Sequence, residues 1–92
     1  MKIHFIGIGG IGVSALARYY LAKGDEVFGS DLASSEITEK LKDMGAKIVI
    51  GPHLAENLPL GAGRVVCSPA VKQDNPELKK AKETGLEVKT YP

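Results

Sequence analysis

A chain of 92 residues, 43% hydrophobic and 25% charged, makes one domain with one compact core, and folding at this length removes only about 60 to 65% of the unfolded surface from water. Twelve basic residues against eleven acidic ones leave a formal charge of +1, which argues against the broad positive field of a nucleic-acid binder, so any phosphate has to be held locally. The single cysteine excludes an intrachain disulfide, and no run approaches the ~18 apolar residues that cross a bilayer; the expectation is a cytoplasmic domain with neither nucleic acid nor membrane as partner.

The first apolar run, Lys2 to Ile6, reads as a strand. The segment around it has one early lysine, many glycines and no cleavage pattern, and so does not read as a signal peptide. Val13, Leu16, Ala17, Tyr20 and Leu21 then recur at helical spacing and form one stripe that faces a sheet. Leu21-Ala22-Lys23-Gly24 opens a pattern that returns at Lys42-Asp43-Met44-Gly45 and Lys82-Glu83-Thr84-Gly85: helix end, glycine, apolar run. Glycine just past a helix takes the left-handed conformation, and lysine in the last turn suits the negative end of the helix dipole.

Each such glycine therefore marks the start of a strand: Glu26 to Ser30, Lys47 to Ile50 and Leu86 to Thr90. Ile37, Leu41 and Met44 form the shorter inward stripe of a second helix. Gly51 to Gly63 holds one helical turn, His53 to Leu58, and a loop rich in glycine and proline, about the minimum for a parallel crossover. Strand four is Arg64 to Ser68. Asn75 can cap the last helix, with Pro76 in its first position.

Strands alternating with helices in this way demand a parallel sheet, helices on both faces and right-handed crossovers. The expected fold class is α/β, a Rossmann-like three-layer domain with a five-stranded sheet of order 3-2-1-4-5, occupying residues 1–92 as one unit. An ending on a strand at Thr90-Tyr91-Pro92 suggests a domain cut from something longer.

Gly7-Ile8-Gly9-Gly10-Ile11-Gly12 satisfies GxGxxG directly after strand one and at the mouth of helix one, where the pattern has physical meaning. The first glycine allows a tight turn, the second lets backbone approach a diphosphate, and the third lets helix and strand pack closely. The N–H groups of residues 9 to 13, with the positive end of the helix, would bind the anion without a lysine. Ser14 reads either as an added hydroxyl donor or as a helix-start serine. Asp31, nineteen residues after Gly12, stands where an acidic side chain meets ribose hydroxyls, and Ser30 shares that position; the alternative for Asp31 is a turn aspartate before Ser34 and Ser35.

Ligands of such a sheet sit beyond the carboxyl ends of strands one and four, so Ser68, Pro69, Ala70 and Val71 should wall the site. His53 follows strand three near the same edge and reads either as a ligand contact or as an incidental surface residue. His4, inside strand one, reads as a structural histidine and Cys67 as a small core residue. No metal site, nucleophile-base pair or ATP-binding glycine-lysine-threonine loop is present in the sequence, and no catalytic residue is expected.

His4-Phe5-Ile6-Gly7-Ile8-Gly9-Gly10-Ile11-Gly12, Gly29-Ser30-Asp31, Ser68-Pro69-Ala70-Val71 and Asp74-Asn75-Pro76-Glu77, in that order, resemble the N-terminal domain of the Mur ligases over essentially the whole chain. The resemblance implies that Gly9, Gly10, Ile11, Gly12, Val13 and Ser14 hold the diphosphate of UDP-N-acetylmuramate, and that Ser30 and Asp31 lie by the ribose. It places His53, in Gly51-Pro52-His53, where the family has a glycine-histidine pair near the uracil, although the proline departs from the usual spacing. Ser68, Pro69 and Ala70 would flank the nucleotide sugar, and Asn75 would be either a ligand contact or the cap of its helix, the cap being the favoured reading.

In this family ATP with Mg2+ and the amino acid bind to further domains, and an acyl phosphate precedes the amide. This chain by itself would therefore bind, without cofactor, and not ligate. The members that add L-alanine resemble it most, and those that recycle a tripeptide come second. An NAD-binding half of an oxidoreductase and a regulatory nucleotide-sensor domain are the readings from other classes.

Overall fold

Five short strands and three helices follow one another as the glycine punctuation predicts. The computed structural model describes residues 1–91. In chain order the elements are β1 (Lys2–Ile6), α1 (Ile11–Lys23), β2 (Glu26–Asp31), α2 (Glu36–Asp43), β3 (Lys47–Ile50), a 3-10 turn at Ala55–Asn57, β4 (Ala62–Cys67), α3 (Pro76–Glu83) and β5 (Glu87–Thr90). All neighbouring strands are parallel, in the order β3-β2-β1-β4-β5, so the expected topology holds. The three glycines that close the helices, Gly24, Gly45 and Gly85, have φ of +92°, +108° and +75°, the left-handed stop that a β-carbon resists.

Each face of the sheet has its own core. Ile3, Phe5, Val27 and Val66 pack against Val13, Ala17 and Tyr20 of α1 and Leu41 of α2. On the opposite face Ile6, Val65 and Cys67 pack against Leu78 and Ala81 of α3. Cys67 is thus the small core residue expected, 4% exposed.

The boundaries shift where long-range pairing decides them. β2 runs on to Asp31 because Asp31 pairs with Ile50 of β3, and β4 begins at Ala62, beside Lys2. β5 begins at Glu87 because the N–H of Leu86 is donated back to Ala81 O at the end of α3. Met44 departs from the expected inward stripe: it caps the C-terminus of α2 and is 49% exposed, whereas Thr38 and Leu41 are buried. An eight-residue helix has just over two turns, so its inward face ends before Met44.

Candidate nucleotide site at the carboxyl edge of the sheet

β1 feeds α1 through a turn at Gly7, whose φ is +75°. Its N–H and that of Ile8 are donated to Ser30 O at 2.9 and 3.0 Å, tying the turn to the end of β2. The next two amides are also engaged. Gly9 N–H donates to Asp31 Oδ2 at 2.8 Å and Gly10 N–H to Gly7 O at 3.1 Å. α1 begins at Ile11 with Gly10 as an N-cap that has no side chain to offer. Among the described residues, the N–H groups of Ile11, Gly12 and Val13 therefore have no partner, which narrows the expected set of residues 9 to 13 to these three. Unpaired amides at the positive end of a 13-residue helix favour an anion.

The space around Gly9 gives a second reason for its identity. A β-carbon there would stand 2.8 Å from Asp31 Oδ2 and 3.2 Å from the Thr38 methyl of α2. The glycine thus lets the Asp31 carboxylate reach the turn. With Oδ2 held by Gly9, Oδ1 has no partner among the described residues, so Asp31 is oriented and still able to accept a hydroxyl. Ser14 is buried, and its hydroxyl donates to Ile11 O at 3.0 Å.

Beyond the ends of β1 and β4 lies a cleft of about 510 Å³ whose lining includes Gly7, Asp31, His53, Ser68 and Ala70. Ser68 Oγ accepts from the Ala70 N–H at 3.2 Å, which shapes the wall. Pro69 lines a neighbouring groove with Cys67, Val88 and Thr90 instead. Asn75 accepts from the N–H groups of Glu77 and Leu78 at 2.9 and 3.4 Å, the expected helix cap, and its edge also borders the cleft.

Beneath the cleft is a buried polar cluster centred on Glu77, the second residue of α3 and fully buried. Its Oε1 accepts from His4 Nε2 and Ser30 Oγ, both at 2.6 Å. Its Oε2 accepts from His53 Nδ1 at 2.8 Å and Asn57 Nδ2 at 2.9 Å. Burial alone would push the carboxyl's pKa up. The donors outweigh that, His4 first, then Ser30, Asn57 and His53, and hold it at about 2. His4 is therefore structural, as expected, with Nδ1 sealed in the interior without a partner among the described residues.

Ser30 and His53 are drawn into this cluster, and the Ser30 hydroxyl proton is directed at Glu77. Asn57 escaped the sequence reading, and Glu77 entered it only as the last residue of the Asp74-Asn75-Pro76-Glu77 motif, with no role given to its side chain. A signal existed: His4 and Ser30 lie on one face of adjacent central strands, and two buried polar positions there require a polar partner from the covering helix.

These features define a Rossmann-like α/β domain with a glycine turn at the point where its winding reverses. The profile described as Mur ligase family, catalytic domain, matches residues 2–92, and the chain belongs to the Mur ligase family. It is similar to UDP-N-acetylmuramate–L-alanine ligase of Campylobacter jejuni subsp. jejuni serotype O:6, 52% identical over 85 residues that make up 92% of this chain and 19% of that protein. The same-named ligase of Carboxydothermus hydrogenoformans is 52% identical over 88 residues, 96% of this chain and 19% of that one.

Among solved structures, UDP-N-acetylmuramate-alanine ligase from Thermotoga maritima superposes with a TM-score of 0.90 at 40% identity, over 98% of this chain and 20% of that one. A murein peptide ligase from Psychrobacter arcticus gives 0.86 at 30% identity, over 96% and 18%. The chain spans about a fifth of the length of the curated relatives it matches.

Proposed function

We propose that this domain holds the UDP moiety of UDP-N-acetylmuramate as the N-terminal domain of an ADP-forming ligase that adds L-alanine in peptidoglycan synthesis. The observation that carries the reading is the trio of unpaired amides, Ile11, Gly12 and Val13, at the start of α1. They match a diphosphate in charge and need no cationic side chain. Asp31 then faces ribose hydroxyls, and His53, Ser68 and Ala70 border the nucleoside and sugar. The choice of L-alanine over a tripeptide rests on 40% identity to the superposed structure named for alanine, against 30% for the murein peptide ligase structure.

In this reading the domain is the anchor of the reaction and supplies no catalytic residue. The full-length ligase would use ATP with Mg2+ on its other domains to phosphorylate the muramic acid carboxylate, releasing ADP, and the L-alanine amine would then displace phosphate to form the amide. Among the described residues no helix is long and apolar enough to cross a membrane, and we assign the domain to the cytoplasm, where nucleotide sugars are at hand. Calorimetric titration with UDP-N-acetylmuramate, UDP and NADH tests the reading. The expected order places both uridine compounds ahead of NADH; preference for NADH over both would replace the ligase reading with an oxidoreductase one.

A further inference from the structure

An ionised carboxylate carries only lone pairs, so every group hydrogen-bonded to Glu77 has to present a hydrogen. For His53, 2.8 Å from Oε2 through Nδ1, this puts a proton on Nδ1, and in the neutral ring it leaves Nε2 with the lone pair. Ser30 agrees: its one hydroxyl proton goes to Glu77 Oε1 at 2.6 Å, so its oxygen, 3.3 Å from His53 Nδ1, can only accept there. Asn57, from the 3-10 turn, donates to the same Oε2 and closes the other side. Nε2 of His53 has no protein partner among the described residues. Unlike Nδ1 of His4 it is not sealed from solvent, and its ring lines the cleft with Asp31 and Ser68.

We propose that Glu77 is a positioning residue for the nucleotide: through His53 it presents Nε2 to the cleft as a fixed hydrogen-bond acceptor for a hydroxyl or ring N–H of the bound nucleoside diphosphate. This rests on the nucleotide-binding reading above. A lone surface histidine exchanges its two tautomers freely, whereas one whose Nδ1 is held by a buried carboxylate offers the ligand a single polarity. Glu77→Gln inverts it. The carbonyl of the introduced amide would stay with His4 and Ser30, and its NH2 group would face His53 Nδ1 as a donor, so the His53 proton moves to Nε2.

Side-chain 15N NMR of the unliganded domain reads the tautomer directly. The expected result is protonation at Nδ1 in the wild type and at Nε2 in Glu77→Gln; a wild-type His53 protonated at Nε2 would overturn the proposal even if the variant does not fold. Calorimetry with UDP supplies the second readout. Glu77→Gln and His53→Ala should each weaken binding about tenfold, and the double variant should lose no more than His53→Ala alone. Additive losses would make Glu77 merely structural and overturn the proposal while leaving UDP binding intact.

N3-methyl-UDP and 2′-deoxy-UDP separate the two donor types. The analogue that lacks the donor should bind wild type and Glu77→Gln alike, and a full Glu77→Gln penalty with both would also count against the proposal. A wild type that binds no UDP at all would overturn the nucleotide reading itself.

Discussion

At Gly29 a side chain has no room. A β-carbon there would stand 2.5 Å from Ile8 Cδ1 and 2.9 Å from Ile8 Cβ, and Ile8 is fully buried in the core under α1. Gly29→Ala should therefore cost about 1 to 3 kcal/mol in urea unfolding, the usual range for an overfilled core. Adding Ile8→Val, which removes Cδ1, should return part of it; an unaffected midpoint in the single variant would show that Ile8 yields freely.

Glu77 belongs to the same scale and predicts an acid limit. Its folded pKa lies at about 2, below the ordinary 4.5, so its contribution is complete above pH 4.5 and is lost as pH falls from there toward 2. That amounts to about 3 kcal/mol, and urea titrations between about pH 6 and pH 3 should show falling stability. Glu77→Gln should flatten its share of the slope. The sequence marked Asn75 and Pro76 as a helix start, yet it did not mark Glu77 as a hub. Its partners His4, Ser30, His53 and Asn57 lie 73, 47, 24 and 20 residues away along the chain.

At the scale of elements, the start of α1 differs from that of the other two helices. α2 begins with a capping box, in which Ser35 and Thr38 satisfy each other's backbone N–H groups, and α3 begins with Asn75 over two amides. Of the three helices described, α1 alone starts on a residue without a capping side chain. Ile11→Pro isolates one of its free amides. Proline is favoured in the first helical position, Gly10 already has the extended φ of −65° and ψ of 149° that a following proline requires, and the Ile11 side chain is 84% exposed. The variant should fold as well as the wild type and bind UDP about 10-fold more weakly, as expected for losing a hydrogen bond to a charged group. Equal affinity in a folded variant would remove Ile11 from the diphosphate site.

At the scale of the whole molecule, the sheet's reversal between β1 and β4 opens an edge where a strand end, a helix start and a returning loop meet around a cleft of nucleotide size. A ligand held there touches both halves of the fold. UDP at about a hundredfold excess over its Kd should stabilise the domain by about 2.7 kcal/mol, visible as a rise in the thermal midpoint that NADH at equal concentration does not produce. No rise at saturating UDP would contradict the proposed site.

The sequence by itself determined the helix stops at Gly24, Gly45 and Gly85, the alternation that makes the sheet parallel, and the glycine turn that opens α1. These are local signals, written in neighbouring residues and set by backbone sterics and periodicity. Tertiary structure alone decided that Asp31 takes up the Gly9 amide, leaving Ile11, Gly12 and Val13 free, and that Glu77 gathers four side chains beneath the cleft. Those outcomes depend on where α3 and the strand ends meet in space, and the spacing that assigns each strand residue to a face does not encode which distant side chain it meets there.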